Sequence, residues 1–233
     1  MDTMEVTRIR DPKLIRSLIR VRASHKEIED ELLNMFVEAG ALLEGHFRLE
    51  SGQHSSLLTH FADIADNSSF ANKIADRQID QLKRENIVID SVLTQESAGR
   101  SIGTLIARKL GKRLIIMATN DKNQPIPKLV NEEALYPGDN VLVVVDVSTT
   151  GYSLETMVSL VRDRKATPKA IVVSVVRSKE ALSNLEKEGI KIFAVFDSDL
   201  SEYTYGIRQE LVGDKCEICR RQGSPQPIAS WQI

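Results

Sequence analysis

Apolar residues recur along this chain in two rhythms. Ile28, Leu32, Leu33, Phe36 and Val37 fall at helical spacing and predict a helix that opens on a Ser24–Glu27 capping pattern and stops near Gly40. Phe70, Ile74, Ile79 and Leu82 repeat that rhythm in "SSFANKIADRQIDQLKREN". Elsewhere the rhythm gives way to short unbroken apolar runs: "IDSVLT", "RLIIMA", "NVLVVVD", "AIVVSVV" and "KIFAVF", with "SSLLTHFAD" as a further strand ahead of them. Helical stretches separate most of these runs, namely "GRSIGTLIARKLG", "YSLETMVSLVRDRK" and "SKEALSNLEKEG". A strand that is apolar at successive positions is covered on both faces, so the pattern predicts a parallel sheet with helices on either side. Right-handed crossovers make it a doubly wound α/β fold.

Residues 1–23 are basic, with Arg8, Arg10, Lys13, Arg16, Arg20 and Arg22. Leu14, Ile15, Leu18 and Ile19 stand among them at helical spacing. A short helix docked on the domain with a solvated basic face explains this segment, and contact with nucleic acid or a membrane surface is the alternative. The expected organisation is a basic helical segment over 1–23, an α/β domain over 24–212 and a tail over 213–233. The 233 residues are 42% hydrophobic with a net charge of −2, which fits one domain with modest additions and disfavours bulk nucleic-acid binding. No apolar run reaches the length of a membrane span, and the charged N-terminus does not read as a signal peptide. Two cysteines cannot build a disulfide framework, so the reducing cytoplasm is the expected compartment.

In a parallel sheet, ligands bind at the carboxyl ends of the strands. The run "NVLVVVD" ends in Asp146, followed after Val147 by Ser148, Thr149, Thr150, Gly151, Tyr152 and Ser153, and then a helix. Backbone N–H groups at such a helix start, with hydroxyls around them and a glycine free to take a positive φ, form an anion cradle. An ordinary strand–helix turn capped by Ser and Thr accounts for the same residues.

"VLVVVDVSTTGYS" resembles the phosphoribosyl diphosphate motif of type I phosphoribosyltransferases: four apolar residues, two acids and a Thr-Thr-Gly loop. "GALLEGHFRLESGQHSS" resembles the opening segment of orotate phosphoribosyltransferases, with Gly45, Phe47, Leu49, Ser51, Gly52 and Ser55 at that spacing. "TQESAGRSIGTLIARKLG" is similar to the family's diphosphate-side loop and helix, and "AIVVSVVRSKEA" to the strand whose terminal Arg, here Arg177, meets the base. The resemblance implies the doubly wound sheet of that family and transfer of ribose 5-phosphate from phosphoribosyl diphosphate to a base, with Mg2+. It also implies a homodimer. Asp146 is the implied catalytic acid on the ribose side. Residues 148–153 would hold a 5′-phosphate, and Glu96, Ser97, Ala98, Gly99 and Arg100 the leaving diphosphate.

The chain departs from that pattern at three places. Val145 stands where the first acid belongs, and Glu50 where a cation meets diphosphate. "ATNDKNQPIPKLVNEE" replaces a mobile cationic loop, with Lys122 and Lys128 as its cations and Pro125 and Pro127 stiffening it. Each lost donor to developing charge costs about 10²–10³ in rate, so altered or lost transferase activity is the expectation. A non-catalytic nucleotide-binding module that contacts RNA or a protein is the alternative function. Cys216 and Cys219 form a Cys-x-x-Cys in the tail, half of a tetrahedral zinc site that a partner chain or a histidine such as His25 or His46 would complete. Two unlinked thiols are the plainer reading. His54 and His60 flank a strand near the expected pocket and read as hydrogen-bonded structural histidines, with proton transfer by His54 as the alternative.

Overall fold

Five parallel strands form the centre of the main sheet, each apolar on both faces. The computed structural model describes residues 6–23, 25–48, 54–120, 125–149, 151–177 and 180–198, together with strand residues 204–205 and 226–227. Among these the elements run β1 (Thr7–Ile9), α1 (Pro12–Leu18), β2 (Ile19–Val21), α2 (Lys26–Ala39), β3 (Leu42–Arg48), β4 (His54–Thr59), α3 (Ala62–Ala65) and α4 (Ser68–Arg84). They continue β5 (Ser91–Gln95), α5 (Gly99–Leu110), β6 (Arg113–Thr119), β7 (Pro125–Leu129), β8 (Asn140–Ser148), α6 (Tyr152–Asp163), β9 (Thr167–Val176), α7 (Glu180–Lys187), β10 (Lys191–Ser198), β11 (Thr204–Tyr205) and β12 (Gln226–Pro227). The main sheet has the order β2-β10-β9-β8-β5-β6-β7. Strands β10, β9, β8, β5 and β6 are parallel, while β2 and β7 close the edges antiparallel.

Strand β8 displays the double winding residue by residue. Leu142 and Val144 join a core with Ile74, Ile79 and Leu82 of α4 and Ile102 and Ile106 of α5. Val141, Val143 and Val145 join a second core on the other face, with Leu154, Met157 and Val161 of α6. The doubly wound α/β expectation therefore holds. The winding direction reverses between β5 and β8, since β6 lies on one side of β5 and β8, β9 and β10 follow on the other. Ligand crevices open at the carboxyl ends of strands at such a switch point.

Two local expectations came out differently. The stretch between the "RLIIMA" and "NVLVVVD" strands, where the apolar pattern predicts no strand, contains β7, which pairs antiparallel with β6. Pro125 and Pro127 are tolerated there because β7 is an edge strand. Asn131 prolongs the pairing: its Oδ1 accepts from the Ile116 N–H at 2.9 Å and its Nδ2 donates to the Leu114 carbonyl at 2.8 Å. The helix of residues 26–39 has His25 rather than Ser24 at its N-cap, with no side-chain cap bond. Ser24 itself lies outside the described residues.

Residues 7–21, expected as one short helix, form β1, α1 and β2. β1 pairs with β3 in a smaller sheet and β2 pairs with β10 in the main one. The smaller sheet has the order β1-β3-β4-β11, with β12 also on β3. It lies near the carboxyl end of β10, where Thr59 Oγ1 meets Ser198 Oγ at 3.5 Å. The arginines of the N-terminal segment are engaged. Arg10 Nη1 donates to the carbonyls of Val37 and Glu38, and Arg8 Nη1 to those of Ala39 and Gly40, so the two together satisfy the open end of α2. Arg22 makes a two-pronged pair with Asp197, at 2.9 and 2.7 Å. Among the described residues no helix is long and apolar enough to cross a membrane.

Arg8 also reaches Asp63 at 2.6 Å, and the Asp63 side chain is only 16% exposed. Arg8→Ala should therefore cost about 1–3 kcal/mol, because it leaves a charged acceptor and two helix carbonyls short of donors. Arg16→Ala, which breaks an exposed pair with Asp30, should cost about 0–1 kcal/mol. Urea midpoints of the two variants check the contrast.

Candidate functional site

The crevice at the switch point is built by the loops that follow β5 and β8. At the end of β8, Gly151 takes φ 82° and ψ −8° as the N-cap of α6. That left-handed backbone lets α6 begin directly behind the strand, with its first N–H groups and positive dipole end turned toward the crevice. Ser148 is buried, and its hydroxyl has no hydrogen-bond partner. Thr149 and Ser153 are half-buried and Tyr152 is exposed. Thr150 lies outside the described residues.

The β5 loop folds tightly. Glu96 N–H donates to the Met117 carbonyl at 3.1 Å, Ser97 N–H to Gln95 at 2.9 Å and Arg100 N–H to Ser97 at 2.9 Å. Gly99 N–H donates to Ser97 Oγ at 3.2 Å. Ala98 is the N-cap of α5, and Gly99 is its first residue. A Cβ on Gly99 would lie 3.1 Å from the Asp146 nitrogen and 3.5 Å from its Oδ1, so the two loops meet with no space for a side chain. Arg100 and Glu96 face each other at 3.6 Å on the exposed rim.

Asp146 stands at this junction. Burial pushes its carboxyl above the usual carboxylate range, while the N–H groups of Val147, Asp146 itself and Gly99 and the Ser97 hydroxyl pull it back. The result is a half-buried carboxyl group held by fixed donors from both loops. Across the crevice, Arg177 N–H donates to the Ser148 carbonyl at 2.9 Å, which carries Arg177 to the carboxyl end of β9 beside the β8 loop. Burial lowers the Arg177 guanidinium to about 10, so it stays charged at neutral pH. The structure thus brings Asp146, Ser148, Thr149, Gly151, Tyr152, Ser153, residues 96–100 and Arg177 to one end of the sheet. Strand β5 adds two residues that sequence reasoning passed over: the buried Thr94 Oγ1 and Gln95 Oε1 also lack hydrogen-bond partners. Their signal was available, since "TQ" ends an otherwise apolar run.

Val145 is 1% exposed and sits in the core beneath α6, on the sheet face opposite Asp146. An acid there would enter the apolar layer before it reached a ligand. His60 is structural, with Nδ1 at 3.0 Å from Asp63 Oδ2. Glu50, Lys122, Cys216 and Cys219 lie outside the described residues. Among the described residues no cluster of three or more His, Cys, Asp or Glu could hold a metal ion. Mg2+ does not need one, because it is commonly bound by one or two carboxylates together with the phosphates of a substrate. Asp146 is the carboxylate that fits this role.

Residues 61–201 match the sequence model of the phosphoribosyl transferase domain. The chain belongs to this family. Orotate phosphoribosyltransferase from Pyrococcus abyssi is 31% identical over 176 residues, covering 75% of this chain and 96% of that protein. The Desulforamulus reducens enzyme of the same name is 29% identical over 196 residues, covering 84% and 93%. In fold, the phosphoribosyltransferase domain resembles the crystal structure of orotate phosphoribosyltransferase from Aeropyrum pernix. That likeness has a TM-score of 0.56 at 23% identity and covers 70% of this chain and 92% of the other. Leishmania donovani UMP synthase aligns with a TM-score of 0.55 at 21% identity, over 72% of this chain and 35% of that longer one.

Two variants separate the roles of neighbouring β8 residues. Val145→Asp should destabilise by on the order of 3–5 kcal/mol, as an unpaired charge enters the core beneath α6; urea unfolding measures it. Asp146→Asn should do the reverse. A carboxyl whose folded pKa is raised binds more protons folded than unfolded, so stability falls as pH rises through the window between the two values and stays lower above it. Asp146→Asn should therefore melt higher than wild type at neutral pH. The difference should vanish below the ordinary aspartate range, as thermal scans over a pH series would record.

Proposed function

We propose that this phosphoribosyltransferase-family protein binds a ligand containing ribose 5-phosphate, and that its transferase turnover is reduced relative to an ordinary orotate phosphoribosyltransferase. The observation that carries the reading is the cradle at the switch point: Gly151 in left-handed backbone at the start of α6, beside the partnerless, buried Ser148 hydroxyl. The N–H groups and hydroxyls of residues 148–153 receive the 5′-phosphate. Asp146 accepts from the ribose hydroxyls, loop 96–100 faces the diphosphate, and Arg177 meets the base. Mg2+, when bound, neutralises diphosphate charge, with Asp146 as its protein carboxylate. The ligand is phosphoribosyl diphosphate or a nucleoside monophosphate, in nucleotide metabolism. A cytoplasmic homodimer belongs to the same proposal.

Two observations support reduced turnover. Val145 fills the first acid position with core packing. The β6–β7 hairpin, whose edge strand carries two prolines, occupies the place of a mobile cationic loop. The alternative of a non-catalytic nucleotide-binding module that contacts RNA or a protein partner draws little support from the N-terminal basic residues, because Arg8, Arg10 and Arg22 are engaged within the protein.

Thermal-shift titration with nucleoside monophosphates and with phosphoribosyl diphosphate, each with and without Mg2+, tests the binding. At 100 times its Kd a ligand should stabilise by about 2.7 kcal/mol. Gly151→Val should weaken 5′-phosphate binding while the protein remains folded, since a β-branched residue cannot adopt that φ. A transferase assay with orotate should give turnover at least about 100-fold below the common enzyme value of ~10 per second. Turnover at ordinary rates would refute the reduced activity, and stabilisation untouched by Gly151→Val would refute the site.

A further inference from the structure

Six residues of α4 are buried, and five of them are apolar: Ala71, Ile74, Ala75, Ile79 and Leu82. The sixth is Gln78, which has no exposure at all. Gln78 Nε2 donates to Ser174 Oγ of β9 at 3.4 Å, and Gln78 Oε1 has no hydrogen-bond partner. Ser174 is likewise fully buried. One long bond with an oxygen left over does not recover the cost of burying an amide, and an apolar side chain of similar size would pack better. Packing alone gives no reason for a glutamine here.

The sheet places Ser174 beside the Asp146 carboxyl. Strands β8 and β9 are parallel, with Val145 opposite Val173 and Val147 opposite Val175, so Asp146 lies abreast of Ser174. Both residues project from the face covered by α4 and α5. Val145 packs beneath α6, which sends Asp146 to the other side, and Ser174 meets α4 directly. Neighbouring strands run about 4.8 Å apart, so the two side chains adjoin across that face. The donors named above for Asp146 come from β8 itself and from the β5 loop. Ser174 stands on the opposite flank, on the β9 side.

A serine hydroxyl has one proton to donate and lone pairs with which to accept. Gln78 gives it an N–H to accept, so the Ser174 proton is left for another acceptor. The carboxyl on the adjoining strand is the acceptor abreast of it. We propose that Gln78 and Ser174 are positioning residues: Gln78 aims the Ser174 hydroxyl at the Asp146 carboxyl, and Ser174 holds that carboxyl in line for the hydroxyls of a ribose 5-phosphate ligand. The assignment of this relay rests on Asp146 being the acceptor of those hydroxyls, as in the function proposed above. Ser174 fixes the carboxyl from the β9 flank as Ser97 and Gly99 do from the β5 flank. An acceptor braced on both flanks needs no rearrangement when the sugar arrives.

Calorimetric titration of the full-length protein with inorganic phosphate, ribose 5-phosphate and 2,3-dideoxyribose 5-phosphate separates this role from packing. Wild type should prefer the ribose to the dideoxyribose by at least about 10-fold, since a site built to bond hydroxyls rejects an analogue that lacks them. Ser174→Ala, Gln78→Met and the double variant should each keep their affinity for inorganic phosphate. Their preference for the ribose should fall to about threefold or less. The double variant replaces both bonded partners by apolar groups, so it should fold at least as stably as wild type and keeps the test decisive if a single variant unfolds. In an Asp146→Asn background, Ser174→Ala should lower the preference no further. Wild type that binds neither sugar phosphate, binds both equally, or keeps its preference in Asp146→Asn overturns the reading of Asp146 and the relay with it. The relay alone is overturned if Asp146→Asn abolishes the preference while the relay variants retain it. Phosphate affinity lost in step with the sugar, or an added loss in the Asp146→Asn background, overturns the relay as well.

Discussion

Gly99 has no side chain, and the backbone of Asp146 lies 3.1 Å from where a Cβ would stand. That close approach locks the β5 loop to the β8 loop at the point where the sheet reverses its winding. Ser97 joins the lock by accepting from Gly99 and by bonding the Asp146 carboxyl. Everything on the carboxyl edge inherits its place from this contact: α6 starts behind it at Gly151, and Arg177 is aligned beside it through Ser148. The contact also shields the half-buried Asp146 carboxyl from water, which opposes folding.

Adjacent residues of one strand are put to opposite uses. Strand alternation sends Val145 into the layer under α6 and Asp146 toward the α5 side. A protein with an acid at both positions must bring the first one out of that layer or pair it. This chain instead fills the position with an apolar side chain and closes the core tightly. It strengthens the sheet where a phosphoribosyl diphosphate site would want a second acceptor. The β6–β7 hairpin follows the same tendency, since Asn131 and two edge prolines give order to a stretch that the family resemblance expects to be mobile and cationic.

The smaller sheet gathers segments that are distant in sequence. β1 comes from near the N-terminus, the β3–β4 hairpin precedes α3, and β11 and β12 flank the Cys-x-x-Cys. Arg8 ties this sheet to the end of α2 and to Asp63, so the N-terminal basic residues act as internal fasteners. The pair of histidines, His46 and His54, lies in the same sheet.

Much of the fold was legible because burial on both faces leaves a mark in the sequence. Runs such as "NVLVVVD" and "AIVVSVV" announce covered parallel strands, and Ile74, Ile79 and Leu82 announce the helix above them. The loop between β8 and α6 was also legible, because Gly151 and its hydroxyl neighbours form one contiguous motif. What remained hidden was long-range. Strands β1, β2 and β7 are short and carry charges or prolines, so their pairing with β3, β10 and β6 depends on the partner strand and leaves no local periodicity. Val145 read as a missing acid, and only the packed sheet revealed that its side chain faces away from the crevice. His46 and His54 are eight residues apart in a stretch that looks unremarkable, and a hairpin register with a bulge made them neighbours. The sequence by itself determined which segments must be buried, since hydrophobic burial is a local property of residue pattern. The tertiary structure decided which side chains meet, because that depends on register and on the face each residue presents.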